Sequence, residues 1–153
     1  MNRKYIVSKQ EFSEIIENLQ NQIDNKIFDM YVCILNGGKY ISDALGIYYS
    51  MNIKASHYIG KHENSQKSKY LNISIDQKLI DSLQYIKEHK TRILVIDDVL
   101  DSGDTAIAIT SMLGSQNDIT LCVAVEKEGH KYKGNVISGE KVSRNDWVIF
   151  DWE

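Results

Sequence analysis

Ile93-Leu94-Val95-Ile96-Asp97-Asp98-Val99-Leu100-Asp101-Ser102-Gly103-Asp104-Thr105 is the stretch around which the chain is organised. Its unbroken opening of aliphatic residues reads as a strand buried on both faces, as in a parallel sheet covered by helices. The run then meets two adjacent carboxylates, which a core does not accept unpaired. A short polar turn follows, and Ala106 to Leu113 continues as a helix, with Gly114 placed to cap it. In open α/β sheets, ligands sit beyond the carboxyl ends of strands, where turn amides and a helix N-terminus concentrate partial positive charge. Successive amides at Ser102, Gly103 and Asp104 suit an anion, and the hydroxyls of Ser102 and Thr105 can donate to phosphate oxygens. Asp97 and Asp98 suit ribose hydroxyls or a hydrated magnesium ion. A sugar phosphate satisfies both halves.

The plainer reading is that these acids merely end a strand and cap a helix. Against it stands a resemblance. The segment is similar to the signature of the type I phosphoribosyltransferases: a hydrophobic strand, two acids, two hydrophobics, then Asp-Thr/Ser-Gly-x-Thr. The same opening also looks like that of a response-regulator receiver domain, although a receiver would need about a hundred residues after this strand. Asp104 departs from the phosphoribosyltransferase pattern, which usually has Gly or Lys there, so its carboxylate is expected to turn outward from the bound phosphate.

Working outward, Ser8 to Glu11 has capping-box spacing, and Phe12, Ile15, Ile16, Leu19 and Ile23 follow at helical intervals. Met30 to Leu35 reads as a buried strand, followed by the loop Asn36-Gly37-Gly38-Lys39 and a helix from Tyr40 to Tyr48. The resemblance makes Asn36, Gly37, Gly38 and Lys39 a pyrophosphate loop, with a cis peptide expected at Asn36-Gly37. Asn36 stands where relatives carry a basic residue, and Lys39 is the candidate to supply that charge. Ile53 to Ile59 and Tyr70 to Ile75 alternate as two strands of an arm. Between them, the polar residues from Gly60 to Lys69 read as an exposed hairpin loop or, by the resemblance, as a flexible lid over the site. Leu79, Ile80, Leu83 and Ile86 mark a further helix, and Ile119 to Val125 a third parallel strand ending at Glu126-Lys127.

The closing Trp147-Val148-Ile149-Phe150-Asp151-Trp152-Glu153 resembles the end of bacterial xanthine-guanine phosphoribosyltransferases. Two tryptophans this close also suit a plain staple of the tail to the core. The resemblance implies a base-binding hood in which Trp147 stacks on the purine and the Val148 backbone reads its edge. Glu153 then lies near the 2-substituent or the metal, and Lys127 donates to O6 of a 6-oxopurine. Asp101 is the implied catalytic proton acceptor, while Asp97, Asp98, Ser102, Gly103, Asp104 and Thr105 bind 5-phosphoribosyl 1-diphosphate (PRPP) with Mg2+. Purine salvage follows as the expected role. A non-catalytic sensor of PRPP or nucleotide on the same fold is the rival.

Composition sets bounds. With 153 residues and 42% hydrophobic content, one domain spanning 1–153 is expected. A formal charge of −3 argues against a dedicated nucleic-acid binder. No apolar run reaches the roughly 20 residues of a membrane span, and no secretory h-region opens the chain, so a cytoplasmic location is expected. Cys33 and Cys122 sit in apolar runs without Cys-x-x-Cys spacing and read as buried thiols. The four histidines have no zinc spacing and read as surface residues. Self-association as a homodimer or homotetramer is expected from the resemblance.

Overall fold

A computed structural model describes residues 3–61 and 67–152. The tip of the expected lid and Glu153 lie outside them. The described residues form β1 (Arg3–Val7), α1 (Lys9–Ile23), β2 (Met30–Leu35), α2 (Gly37–Ala44), β3 (Met51–Lys61) and β4 (Lys67–Ile75). The second half adds α3 (Gln77–Glu88), β5 (Arg92–Leu100), α4 (Asp104–Leu113), β6 (Asp118–Lys127), β7 (Asn135–Val142) and β8 (Asp146–Phe150). The main sheet has the order β4-β3-β2-β5-β6-β7 and is parallel except where β4 returns against β3. This is the α/β architecture expected, with the sheet flanked by helices.

β5 sits at the centre because its residues are apolar on both faces. Ile93, Leu94, Val95 and Ile96 have no exposed surface. Leu94 and Ile96 pack with Ile15 and Leu19 of α1 and Ile41 of α2, whereas Ile93 and Val95 pack with Leu79 and Ile86 of α3 and Ile109 of α4. Alternation along one strand thus builds two cores. Cys33 and Cys122 are buried in it, and burial pushes their thiols up to about 11 and about 12. α1 begins where Ser8 Oγ accepts the Glu11 amide at 3.1 Å, as the capping spacing required.

Several boundaries differ from the sequence reading. β5 continues through the acids to Leu100 instead of stopping at Ile96, because β6 pairs with it as far as Leu100↔Glu126. The glycines of the supposed loop form the first turn of α2. The cis peptide is Leu35-Asn36, one residue earlier than expected. The hairpin strands run on to the pair Lys61↔Lys67, so both described ends of the polar stretch are strand, since ladder pairing needs no apolar side chains. β1 and β7 escaped the sequence reading; β1 pairs in parallel with β8, giving the expected hood the form of a two-stranded ribbon.

That ribbon separates the two tryptophans. Trp152 stacks between Tyr40 and Phe150, each with ring centroids 4.4 Å apart, and meets Phe12 edge-on at 5.2 Å. Trp147 points outward and is 61% exposed. Trp152→Ala should therefore cost about 2 kcal/mol in urea denaturation, and Trp147→Ala less than about 0.5 kcal/mol. Equal effects of the two would refute this division of labour.

Candidate active site

The carboxyl end of β5 and the N-terminus of α4 enclose a cleft of about 400 Å³ lined by Asp97, Asp101, Ser102, Gly103, Asp104 and Thr105 among others. Gly103 forms the N-cap of α4 at φ 97°, a left-handed conformation that glycine adopts without strain. A Cβ at that position would also lie 2.8 Å from the Tyr132 amide nitrogen. The turn is thus packed against the backbone of Lys131 and Tyr132, with the Asp104 amide contacting Ser102 Oγ at 3.3 Å. A larger hollow of about 710 Å³ lies at the opposite ends of the strands, between Asp29, Met51, Tyr85 and Arg92. Its Arg92 and Asp29 pair with each other at 2.8 Å.

The two strand acids differ. Asp97 accepts the Asp98 amide at 2.8 Å, and Asp98 accepts the Val99 amide at 2.8 Å. Burial, followed by the adjacent Asp98 charge, holds the Asp97 carboxyl well above the ordinary range. Gly37 of α2 lies so close that a Cβ there would overlap the Asp98 carboxylate. The glycine turn and the acid pair therefore form one continuous wall. For Mg2+, the described residues contain no cluster of three ligating side chains. The donor set fits a hydrated ion held mostly by substrate oxygens, with Asp97 or Asp98 contributing.

Asp101 meets two cations. Lys127 Nζ, from the end of β6 and only 12% exposed, lies 3.4 Å from Asp101 Oδ2. Arg144, in the turn before β8, donates from Nη1 to the Asp101 carbonyl at 2.8 Å and from Nη2 to Asp101 Oδ1. Lys127, expected as a base donor, is the last residue of β6 and lies beside Asp101. Arg144 went unnoticed because nothing local in Ser143-Arg144-Asn145 signals a partner 43 residues away. Asp104, 43% exposed, lines the same cleft and pairs with Lys131 at 2.7 Å.

Other expectations fare differently. Lys39 is tied to Asp43 at 3.1 Å on the surface of α2, while Asn36 makes no side-chain cap to that helix. Val148 is buried, leaving its backbone as the group that could meet a base. His130 is not a surface residue: its side chain is 14% exposed, with Nε2 2.8 Å from Glu126 Oε2. Burial tends to raise the Glu126 carboxyl, but hydrogen bonds from His130 and Ser138 outweigh it and lower the pKa. This network braces the strand end that carries Lys127.

No protein-family model and no curated protein matches the chain. Solved structures do. A purine phosphoribosyltransferase from Pyrococcus horikoshii superposes with TM-score 0.70 at 19% identity, covering 98% of this chain and 93% of that one. Xanthine-guanine-hypoxanthine phosphoribosyltransferase from Helicobacter pylori gives 0.66 at 22% identity, over 99% and 94%. The chain has the type I phosphoribosyltransferase fold. A hypothetical protein from Neisseria gonorrhoeae with bound ppGpp shares this architecture, with TM-score 0.78 at 19% identity over 100% of this chain and 90% of that one. In this fold, Gly37 and Gly38 in the first turn of α2 lie against Ile96, Asp97 and Asp98 of β5.

The Asp97 carboxyl provides a test of this electrostatic arrangement. A raised folded-state pKa means that the native state binds the extra proton, so stability falls as pH rises from the unfolded value through the folded one. Asp97→Asn should therefore melt at higher temperature than the parent at pH 7, with the difference shrinking towards pH 4. An unchanged or lower melting temperature at pH 7 would contradict it.

Proposed function

We propose that the protein is a purine phosphoribosyltransferase that transfers the 5-phosphoribosyl group from PRPP to a 6-oxopurine, guanine, xanthine or hypoxanthine, and releases pyrophosphate, as in purine salvage. The observation that carries this reading is the Lys127–Asp101 pair at 3.4 Å on the rim of the phosphate cradle. It unites a base-reading cation, a proton acceptor and an anion site.

In the reaction, the bond from the anomeric carbon to the diphosphate oxygen breaks and a bond to a purine nitrogen forms. The sugar carbon becomes cation-like, so charge stabilisation and positioning matter more than a protein nucleophile. The amides of Ser102, Gly103, Asp104 and Thr105, with the hydroxyls of Ser102 and Thr105, hold the 5-phosphate. Asp97 and Asp98 accept from the ribose hydroxyls. Mg2+, when bound, neutralises charge on the diphosphate, which lies towards Asn36, Gly37, Gly38 and Lys39. Trp147 covers the base, with the Val148 backbone and Glu153 at its edge. Lys127 donates to O6, which frees Asp101 to accept the proton from N7 while Arg144 retains hold of it.

The small-molecule chemistry suits a cytoplasmic location, and the net charge of −3 gives no support for nucleic-acid binding. No described helix is long and apolar enough to cross a membrane. Self-association into a homodimer or homotetramer is part of the proposal; Tyr48 and Tyr49, 72% and 94% exposed, are available for it.

A second reading has two observations in its favour. Asp101 is held by two cations in this conformation, as it would be in a sensor that binds nucleotide without turnover, and one fold neighbour carries bound ppGpp. Mixing the protein with PRPP, magnesium and each purine while following the ultraviolet difference spectrum separates the two. Nucleotide should form from the 6-oxopurines and about 100-fold more slowly, or not at all, from adenine. Asp101→Asn should lower kcat by about 100-fold with KM near the parent value. No turnover of any base would overturn the enzymatic reading, and preference for adenine would remove Lys127 from its role.

A further inference from the structure

We propose that Lys131 is a ligand of the 5-phosphate, stored in the free protein on the Asp104 carboxylate and transferred to the phosphate when it binds. This rests on the reading of the β5–α4 turn as a phosphate cradle.

The charges of the cleft require such a group. Asp97, Asp101 and Asp104 all line it, and an entering phosphate dianion meets their field. Lys127 and Arg144 are both engaged with Asp101. Lys131 Nζ sits 2.7 Å from Asp104 Oδ1, and both side chains are substantially exposed, at 64% and 43%. An exposed pair of this kind contributes little to stability, so holding the fold together is a weak reason for it. Asp104 alone has another reason, since an acid in the first turn of α4 complements the helix dipole. That does not account for a lysine brought from a separate loop.

The loop is brought there by the backbone. The Lys131 amide donates to the Ser102 carbonyl at 2.8 Å, and the Tyr132 amide nitrogen backs onto Gly103. Lys131 is thereby anchored at its own backbone to the turn whose amides would cradle the anion. Its side chain must reach only from the Asp104 carboxylate to a phosphate on the adjacent amides. A phosphate dianion carries more charge than a carboxylate and offers more acceptor oxygens, so the ammonium group favours it. Asp104, a repulsive group when considered alone, then serves to keep the cation positioned at the mouth of the cleft.

Calorimetric titration of ribose 5-phosphate into the full chain tests this without requiring turnover, using the parent, Lys131→Ala, Lys131→Arg, Asp104→Asn and the Lys131→Ala/Asp104→Asn double variant. Lys131→Ala should raise Kd by about 10-fold or more. Lys131→Arg should stay within about threefold of the parent, which guards against a folding defect. The deciding comparison is in the Asp104→Asn background. There Lys131→Ala should still weaken binding by about 10-fold, because a ligand is lost. If it shifts Kd by less than about twofold there, Lys131 only screens Asp104, and the proposal fails. Failure of the parent to bind ribose 5-phosphate at millimolar concentration would also overturn it. Lys131-dependent binding without purine turnover would instead sink the enzymatic reading and leave this inference standing.

Discussion

Everything in the site depends on a strand that is apolar on both faces yet ends in carboxylates. Ile93 to Ile96 have no exposed surface, so β5 is fixed between two cores, and its continuation to Leu100 holds Asp97 and Asp98 near the carboxyl end of a central strand without freedom to drift. Burial then acts on the chemistry. It raises the pKa of Asp97, and the close approach of Gly37 to Asp98 allows no side chain to intervene between the acids and α2. The same packing that stabilises the fold therefore sets the shape and charge of one wall of the cleft.

The opposite wall is made by charge rather than by packing. The turn at Asp101–Asp104 receives three cations from two later segments: Lys127 and Lys131 around the end of β6, and Arg144 before β8. Lys127 and Arg144 share the Asp101 carboxylate, and Lys131 pairs with Asp104 in the same turn. Under the proposal, an anion entering the turn would exchange partners instead of meeting naked positive charge. The partly buried His130–Glu126–Ser138 network holds the end of β6 that carries Lys127.

What was legible in the sequence follows from how local each signal is. The run from Ile93 to Thr105 contained the strand, the turn and the helix start in consecutive residues, and Ser8 with Glu11 marked the start of α1 in the same way. The six-stranded order followed only in outline, because β7 carries Ser138, Gly139, Glu140 and Lys141 at its middle and has no apolar run to announce it. β1 is equally silent, since its pairing with β8 joins Arg3 to Asp146 across nearly the whole chain. Arg144 and Lys131 were illegible for the same reason: their partners are set by tertiary folding, and an isolated basic residue in a polar loop looks like any other. His130 was misread because its pairing with Glu126 of β6 depends on the turn that follows that strand. Trp147 lies on the exposed face of β8, whereas Trp152 follows the end of that strand and stacks on Tyr40 and Phe150.

The central claim is that the turn following β5 seats a sugar phosphate on its backbone amides. Backbone amide chemical shifts, followed by ¹⁵N-labelled NMR as PRPP and magnesium are added, report on this directly. The account expects the largest saturable shifts at Ser102, Gly103, Asp104 and Thr105, with smaller ones at Gly37 and Gly38. Shifts clustered instead around Asp29, Tyr85 and Arg92, at the far ends of the strands, would contradict it.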